Sequence, residues 1–142
     1  MQQNDRIWIG TFCLLLASCS ETEKPQEPAY PDAIFENLPS AEAGTIAEMQ
    51  GDWQSDDDAK IQINITGSEF RTVRDGQEQN RGPFVFVTDC KSGDPDPQGT
   101  AFVVREAEDR PCYIMSAVTE DKLSYIHSKR GRVSRFTRQI DK

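Results

Sequence analysis

Lys60-Ile61-Gln62-Ile63-Asn64-Ile65 alternates polar and apolar residues without a break. An extended backbone turns successive side chains to opposite faces, so three isoleucines fall on one side and no helical register collects them. Outward from this strand, further runs lie at 69–74, 84–90, 100–106, 112–119, 123–128 and 132–138, and a strand around Trp53 makes eight. They are separated by Thr66-Gly67-Ser68, Asp75-Gly76, Gly82-Pro83, Gly93-Asp94-Pro95, Asp109-Arg110-Pro111 and Arg130-Gly131, all turn chemistry. Connections this short leave no room for crossover helices. The fold class is therefore all-β, an antiparallel meander closed as a sandwich or a barrel. Before the first strand, Thr45-Ile46-Ala47-Glu48 has the form of a capping box, predicting one short helical turn that Gly51 ends.

The 142 residues carry a net charge of -8, with a pI of about 4.6. Length and sign exclude a multi-domain enzyme and a basic nucleic-acid binder, so no nucleic-acid partner is expected. Residues Ile7 to Leu16 form an apolar run of ten behind the single basic Arg6. Ten residues are too few to span a bilayer and match the core of an export signal. The run leads into Leu16-Ala17-Ser18-Cys19, which resembles the lipobox of bacterial lipoproteins. The resemblance implies that residues 1–18 are a removable signal peptide, that Cys19 receives a diacylglycerol on its thiol, and that its new amino terminus is acylated. Several acyl chains at about 0.8 kcal/mol per buried methylene make a stable anchor. Ser20, where Asp favours inner-membrane retention, implies the outer membrane on its periplasmic side, with surface exposure as the other placement.

From Ser20 to Gly44 the chain holds Pro25, Pro28, Pro31 and Pro39 and six acids against Lys24. Missing backbone donors and like-charge repulsion predict an extended, disordered tether over 19–44, with the folded domain at 45–142. Ala33 to Leu38 is its apolar exception, read as a weakly ordered segment, with docking on the domain or marking a contact as the alternatives.

At Gly51-Asp52-Trp53 the one-turn helix leads into Gly-x-Trp on the first strand. This opening resembles that of lipocalins and related small barrels, which implies a single meander barrel of about eight short strands. It also implies that Gly51 and Trp53 close the barrel floor against an Arg of the last strand, here Arg138, or Arg135 in a slipped register. The domain is shorter than most lipocalins, lacks Thr-Asp-Tyr between the sixth and seventh strands, and has no helix after the last strand.

Cys90 and Cys112 remain once the leader and anchor cysteines are set aside, and an oxidising compartment predicts a disulfide. In a plain meander they would lie at opposite ends of the sheet, so the bridge requires either a short, bent intervening strand or different strand limits. His127, the only histidine, lies in the inward alternation Leu123, Tyr125, His127 and is read as structural. Asp94-Pro95-Asp96-Pro97-Gln98-Gly99 is read as a turn, because a calcium loop counted from Asp94 would put Arg105 where a bidentate Glu is needed. No catalytic residue, metal or cofactor is expected.

Asp56, Asp57 and Asp58 follow the first strand, while Lys129, Arg130, Arg132, Arg135 and Arg138 sit on the last hairpin. Two readings stand. Closure of the sheet brings the acids beside Lys129, Arg130 and Arg132 across the seam, or the basic hairpin meets an anionic partner such as lipid phosphates or an acidic protein. Phe84 to Val87 and Ala101 to Val104 are apolar on both faces, so something must cover the outer side: the short helix, the Ala33 to Leu38 segment or a partner protein. Phe84, Phe86, Phe102 and Val104 form the candidate binding face. Two functions follow: an acylated envelope module that binds or inhibits another protein, or a lipocalin-like carrier of a small apolar ligand. Cavity volume separates them.

Overall fold

The computed structural model describes residues 30–38, 40, 44–107 and 109–140. One 3-10 turn (Asp32–Phe35) and helix α1 (Gly44–Met49) precede eight strands. These are β1 (Gly51–Ser55), β2 (Ile61–Thr66), β3 (Glu69–Arg74), β4 (Gln77–Val87), β5 (Ala101–Val104), β6 (Cys112–Val118), β7 (Lys122–His127) and β8 (Val133–Arg138). Each pairs antiparallel with the next, and β1 pairs with β8 through Trp53 opposite Arg138 and Ser55 opposite Phe136, closing the barrel.

The isoleucine alternation does what its period requires: Ile63 and Ile65 point into the barrel and are buried. Asp75 and Gly76 both take positive φ, 50° and 75°, the two-residue turn whose twist suits a hairpin, and they join Arg74 to its partner Gln77.

Three local expectations are corrected. Helix α1 begins at Gly44, so Thr45 lies inside its first turn and not at the cap. Gly82-Pro83 is not a turn. It sits inside β4, where the strand leaves β3 and takes up β5: Glu69 pairs with Pro83, and Phe84 with Val104. Arg105 N–H donates to the Pro83 carbonyl at 2.9 Å. A Cβ on Gly82 would lie 1.8 Å from the Arg105 carbonyl oxygen, so only glycine admits this approach. The third correction concerns the tether: Tyr30, Ile34 and Phe35 are buried, so this part of the expected 19–44 tether is packed on the barrel. Three large apolar side chains outweigh the local preference of Pro31 and Asp32 for solvent.

Two apolar clusters result. Inside the barrel, Trp53, Phe70, Phe84, Phe86, Phe102, Tyr125 and Phe136 pack with Ile46 and Met49 of α1 across one end. Outside it, Val85, Val87, Ala101, Val103 and Cys112 are covered by Tyr30, Ile34 and Phe35.

Candidate functional site

The floor of the barrel is built from the first and last strands. Trp53 is fully buried, and its indole N–H donates to the Met49 carbonyl at 2.9 Å, tying the strand to α1. The Arg138 guanidinium lies 4.1 Å from the Trp53 ring centre. It donates to the carbonyls of Glu48 at 2.7 Å, Gln50 and Glu120. Arg138, not Arg135, takes the place opposite Trp53. Gly51 has φ of 120°, and a Cβ there would sit 2.7 Å from Arg138 Nη1. This end is a structural lock, since all three guanidinium nitrogens of Arg138 donate to backbone carbonyls.

The candidate binding face is not a face. Phe84, Phe86, Phe102 and Val104 all point inward and are at most 1% exposed. Strand alternation puts Val85, Val87, Ala101 and Val103 on the outer side instead, and of the three covers considered the Ala33 to Leu38 segment supplies it, with Tyr30. Tyr30 O–H donates to the Cys90 carbonyl at 2.5 Å. Asp32 accepts from Arg110 and faces Arg105 at 3.8 Å, while the Arg105 guanidinium lies over the Phe35 ring at 5.5 Å.

This strap, Tyr30 with the Ala33 to Leu38 segment, also packs with the two cysteines. Cys90 and Cys112 are bonded, with Cα atoms 5.8 Å apart. Both conditions set by the sequence are met: β5 has only four residues, and Cys90 lies beyond the end of β4. The chain after Val87 folds back, held by Thr88 N–H on the Asp94 carbonyl and Asp96 N–H on the Phe86 carbonyl. Asp89 clamps that fold by accepting the Lys91 and Ser92 backbone N–H groups, which hold its carboxyl below the ordinary range, Ser92 more than Lys91. In the Asp94 to Gly99 segment, Asp96 accepts from the backbone of Gln98 and Gly99, a self-closed turn.

The opposite end of the barrel gathers the chemistry that the sequence reading left scattered. Tyr113 lies against Tyr125, His127 and Phe102 with ring centres 5.0, 5.2 and 5.2 Å away. Burial pushes the Tyr113 and Tyr125 phenols well above their ordinary value, and the Glu106 charge adds to both. Burial also raises the Glu106 carboxyl, reinforced by Asp109 and opposed by Arg130. A signal for this convergence existed: Tyr113, Tyr125 and His127 share the inward phase of β6 and β7. The contribution of Glu106 depends on the turn in which it exchanges backbone hydrogen bonds with Asp109; Asp109-Arg110-Pro111 announced a turn there, but nothing in it placed Glu106 beside the tyrosines. His127 is held between a ring contact and the Lys129 N–H on its Nδ1 at 3.3 Å, a packing role. Among the described residues, no group of three His, Cys, Asp or Glu is placed to hold a metal ion.

The seam reading is also corrected. Asp56 does reach the seam, where its N–H donates to the Arg135 carbonyl at 2.8 Å. Its carboxylate, however, takes the Thr137 hydroxyl and faces Lys122 at 3.5 Å, which together hold it below the ordinary range, Thr137 first. Asp58 pairs with Arg74 at 3.3 Å. Antiparallel pairing runs β1 toward the start of β8, so its loop stops at Arg135 and does not reach Lys129, Arg130 or Arg132.

Outside β1 to β3 a shallow groove of about 250 Å3 is lined by Asp52, Gln62, Asn64, Arg71 and Val73. Its polar groups are engaged: the Asn64 amide donates to Asp52 at 2.6 Å, the Gln62 amide to Gln54 at 3.0 Å and Arg71 to Glu78 at 2.7 Å. Cys19 lies outside the described residues. Compared with known protein families, curated proteins and solved structures, the chain matches none.

Proposed function

We propose that this chain is a membrane-anchored cell-envelope lipoprotein, held through Cys19 in the outer membrane, whose barrel serves as a non-enzymatic module that binds or inhibits another envelope protein. The observation that carries the reading is the state of the interior. Seven aromatic side chains share one cluster inside an eight-stranded barrel, with contacting ring centres between 5.5 and 6.3 Å apart. A barrel of this strand number is just wide enough to be filled by its own side chains or to hold one small ligand. Filling favours a rigid scaffold presenting loops over a carrier of a small apolar molecule. The anchor rests on the Leu16-Ala17-Ser18-Cys19 motif behind its apolar run.

Two measurements on protein purified from envelopes test it. The mass of the amino-terminal peptide should show Cys19 as the first residue, carrying lipid. Photo-crosslinkers at exposed Gln98 and Asp57 should capture one protein repeatedly in intact envelopes, while native mass spectrometry should find no apolar molecule inside the barrel. A stoichiometric apolar ligand would replace this reading with the carrier, and an unmodified, uncleaved leader would remove the anchor.

A further inference from the structure

With Asp56 and Asp58 of the β1–β2 loop committed to Lys122 and Arg74, the basic end of the β7–β8 hairpin needs its own account. Lys129, Arg130, Arg132 and Arg135 are all exposed. Among the described residues, Arg130, Arg132 and Arg135 make no salt bridge. Beside them the barrel wall carries an apolar row. Ile114 pairs with Ile126 and Ile126 with Val133, three neighbours facing outward on β6, β7 and β8. Ile114 is 40% exposed, and Ile126 and Val133 are half-buried. The row continues the strap-covered patch, since Ala101 pairs with Ile114, yet the strap stops short of it.

We propose that this composite surface, Ile114, Ile126 and Val133 edged by Arg130, Arg132 and Arg135, lies on an anionic, phosphate-bearing lipid leaflet. Apolar side chains flanked by cations are what an interface of acyl chains under phosphates accepts. A flat acidic protein would satisfy the cations but leave the isoleucines unexplained. The route of the chain points the same way. Asp32 is bound by Arg110 and Arg105, which flank the β5–β6 turn at the same end of the barrel as the β7–β8 hairpin. Cys19 precedes Tyr30 by 11 residues, a span of at most about 40 Å even when fully extended. This step rests on the anchor reading, because a lipid at Cys19 keeps that end of the barrel beside the leaflet. A weak patch then suffices, since tethering makes its contact intramolecular. The acidic turns on either side of the hairpin, Asp56 to Asp58 and Glu106 with Asp109, confine the contact to the β6–β8 flank and tilt the barrel onto it. The β2–β4 side, with its polar groove, is left facing the periplasm and a protein partner.

The test is amide hydrogen exchange on the full acylated protein, reconstituted into vesicles of phosphatidylethanolamine with phosphatidylglycerol and, separately, into zwitterionic phosphatidylcholine. Each cation near an anionic leaflet is worth about fivefold in binding, so residues 126–134 should exchange on the order of tenfold more slowly in the anionic vesicles. The difference should collapse at about 1 M salt, where screening shortens to about 3 Å. Arg130→Glu with Arg132→Glu should abolish the difference, and Ile114→Asn should reduce it, while exchange in β2 and β3 stays unchanged to certify the fold. Equal exchange of 126–134 in both lipids overturns the proposal. The mass of the amino-terminal peptide is read on the same sample. If Cys19 is unmodified the anchor reading fails by itself, and the same two vesicle types added to the soluble protein then decide the patch.

Discussion

Arg138 joins three separate parts of the chain, and its geometry shows why glycine precedes Asp52. The guanidinium covers the Trp53 ring and donates to carbonyls of Glu48, Gln50 and Glu120, so one side chain ties α1, β1 and the β6–β7 turn to β8. Arg138→Ala removes the stacking and leaves helix-terminal carbonyls without a donor. It should cost about 2–4 kcal/mol in urea unfolding with an unchanged denaturant slope. Arg138→Lys keeps the charge but lacks the planar fork, and should recover less than half of the loss. Gly51→Ala meets both a positive φ and the Nη1 atom, and should cost about 1–3 kcal/mol. If Arg138→Lys matched wild type, the interaction would be simple charge and the fork irrelevant. This lock was legible only through the resemblance of Gly51-Asp52-Trp53 to the lipocalin opening, which implied a Trp against an Arg of the last strand and left Arg138 and Arg135 open until the register chose between them. The pairing of Asp32 with Arg110 was not, since nothing in the spacing of those two residues fixes where an apparently solvated segment will dock.

Elements were legible where one face is buried and one is wet. β3 is found at 69–74 as read, and Cys112 begins β6 as read. The first half of β4, Gln77-Glu78-Gln79-Asn80-Arg81, was missed because it projects at the rim and is largely exposed on both faces, which erases the alternation. The outer cover shows the reverse limit: Val85 and Val103 announced that something must cover them and the Ala33 to Leu38 segment was one of three candidates, but neither its choice over the other two nor the part of Tyr30 could be read. Strap and disulfide therefore act on one patch, and their removal separates into two effects. Replacing both Cys90 and Cys112 by Ser should cost about 3 kcal/mol, the loop-closure value for a separation of 22. Phe35→Ala should cost a similar amount, about 3 kcal/mol, through the emptied space over Val85 and Val103. Because Tyr30 holds the Cys90 carbonyl, reduction should also raise the cleavage rate of the strap by a protease under native conditions. Unchanged cleavage would mean that the strap docks on the sheet alone.

At the scale of the whole molecule, stability against pH has two limbs set by opposite kinds of carboxyl. Asp56 and Asp89 are held below their ordinary value of 3.8 by hydrogen bonds, from Thr137 first in one case and from the Ser92 backbone first in the other. Their contribution is complete above that value and is lost as pH falls through their folded values. Glu106 runs the other way. Burial raises it above its ordinary 4.5, so between that value and its folded one the native state binds more protons than the unfolded chain. Stability therefore declines as pH rises through that window, and the deficit persists at neutrality. The barrel should be most stable in mildly acid solution, below neutrality and above the Asp window. Glu106→Gln removes the buried charge and keeps the shape, so it should be more stable than wild type at pH 7, an advantage that fades below 4.5, where Glu106 is protonated in both states. Thr137→Val should leave that upper limb alone and move the acid limb to higher pH, because Asp56 loses its foremost partner. Urea unfolding across the range reads both. A Glu106→Gln gain of the same size on either side of 4.5 would assign the effect to packing at the rim, because a desolvated charge can act only where it is ionised.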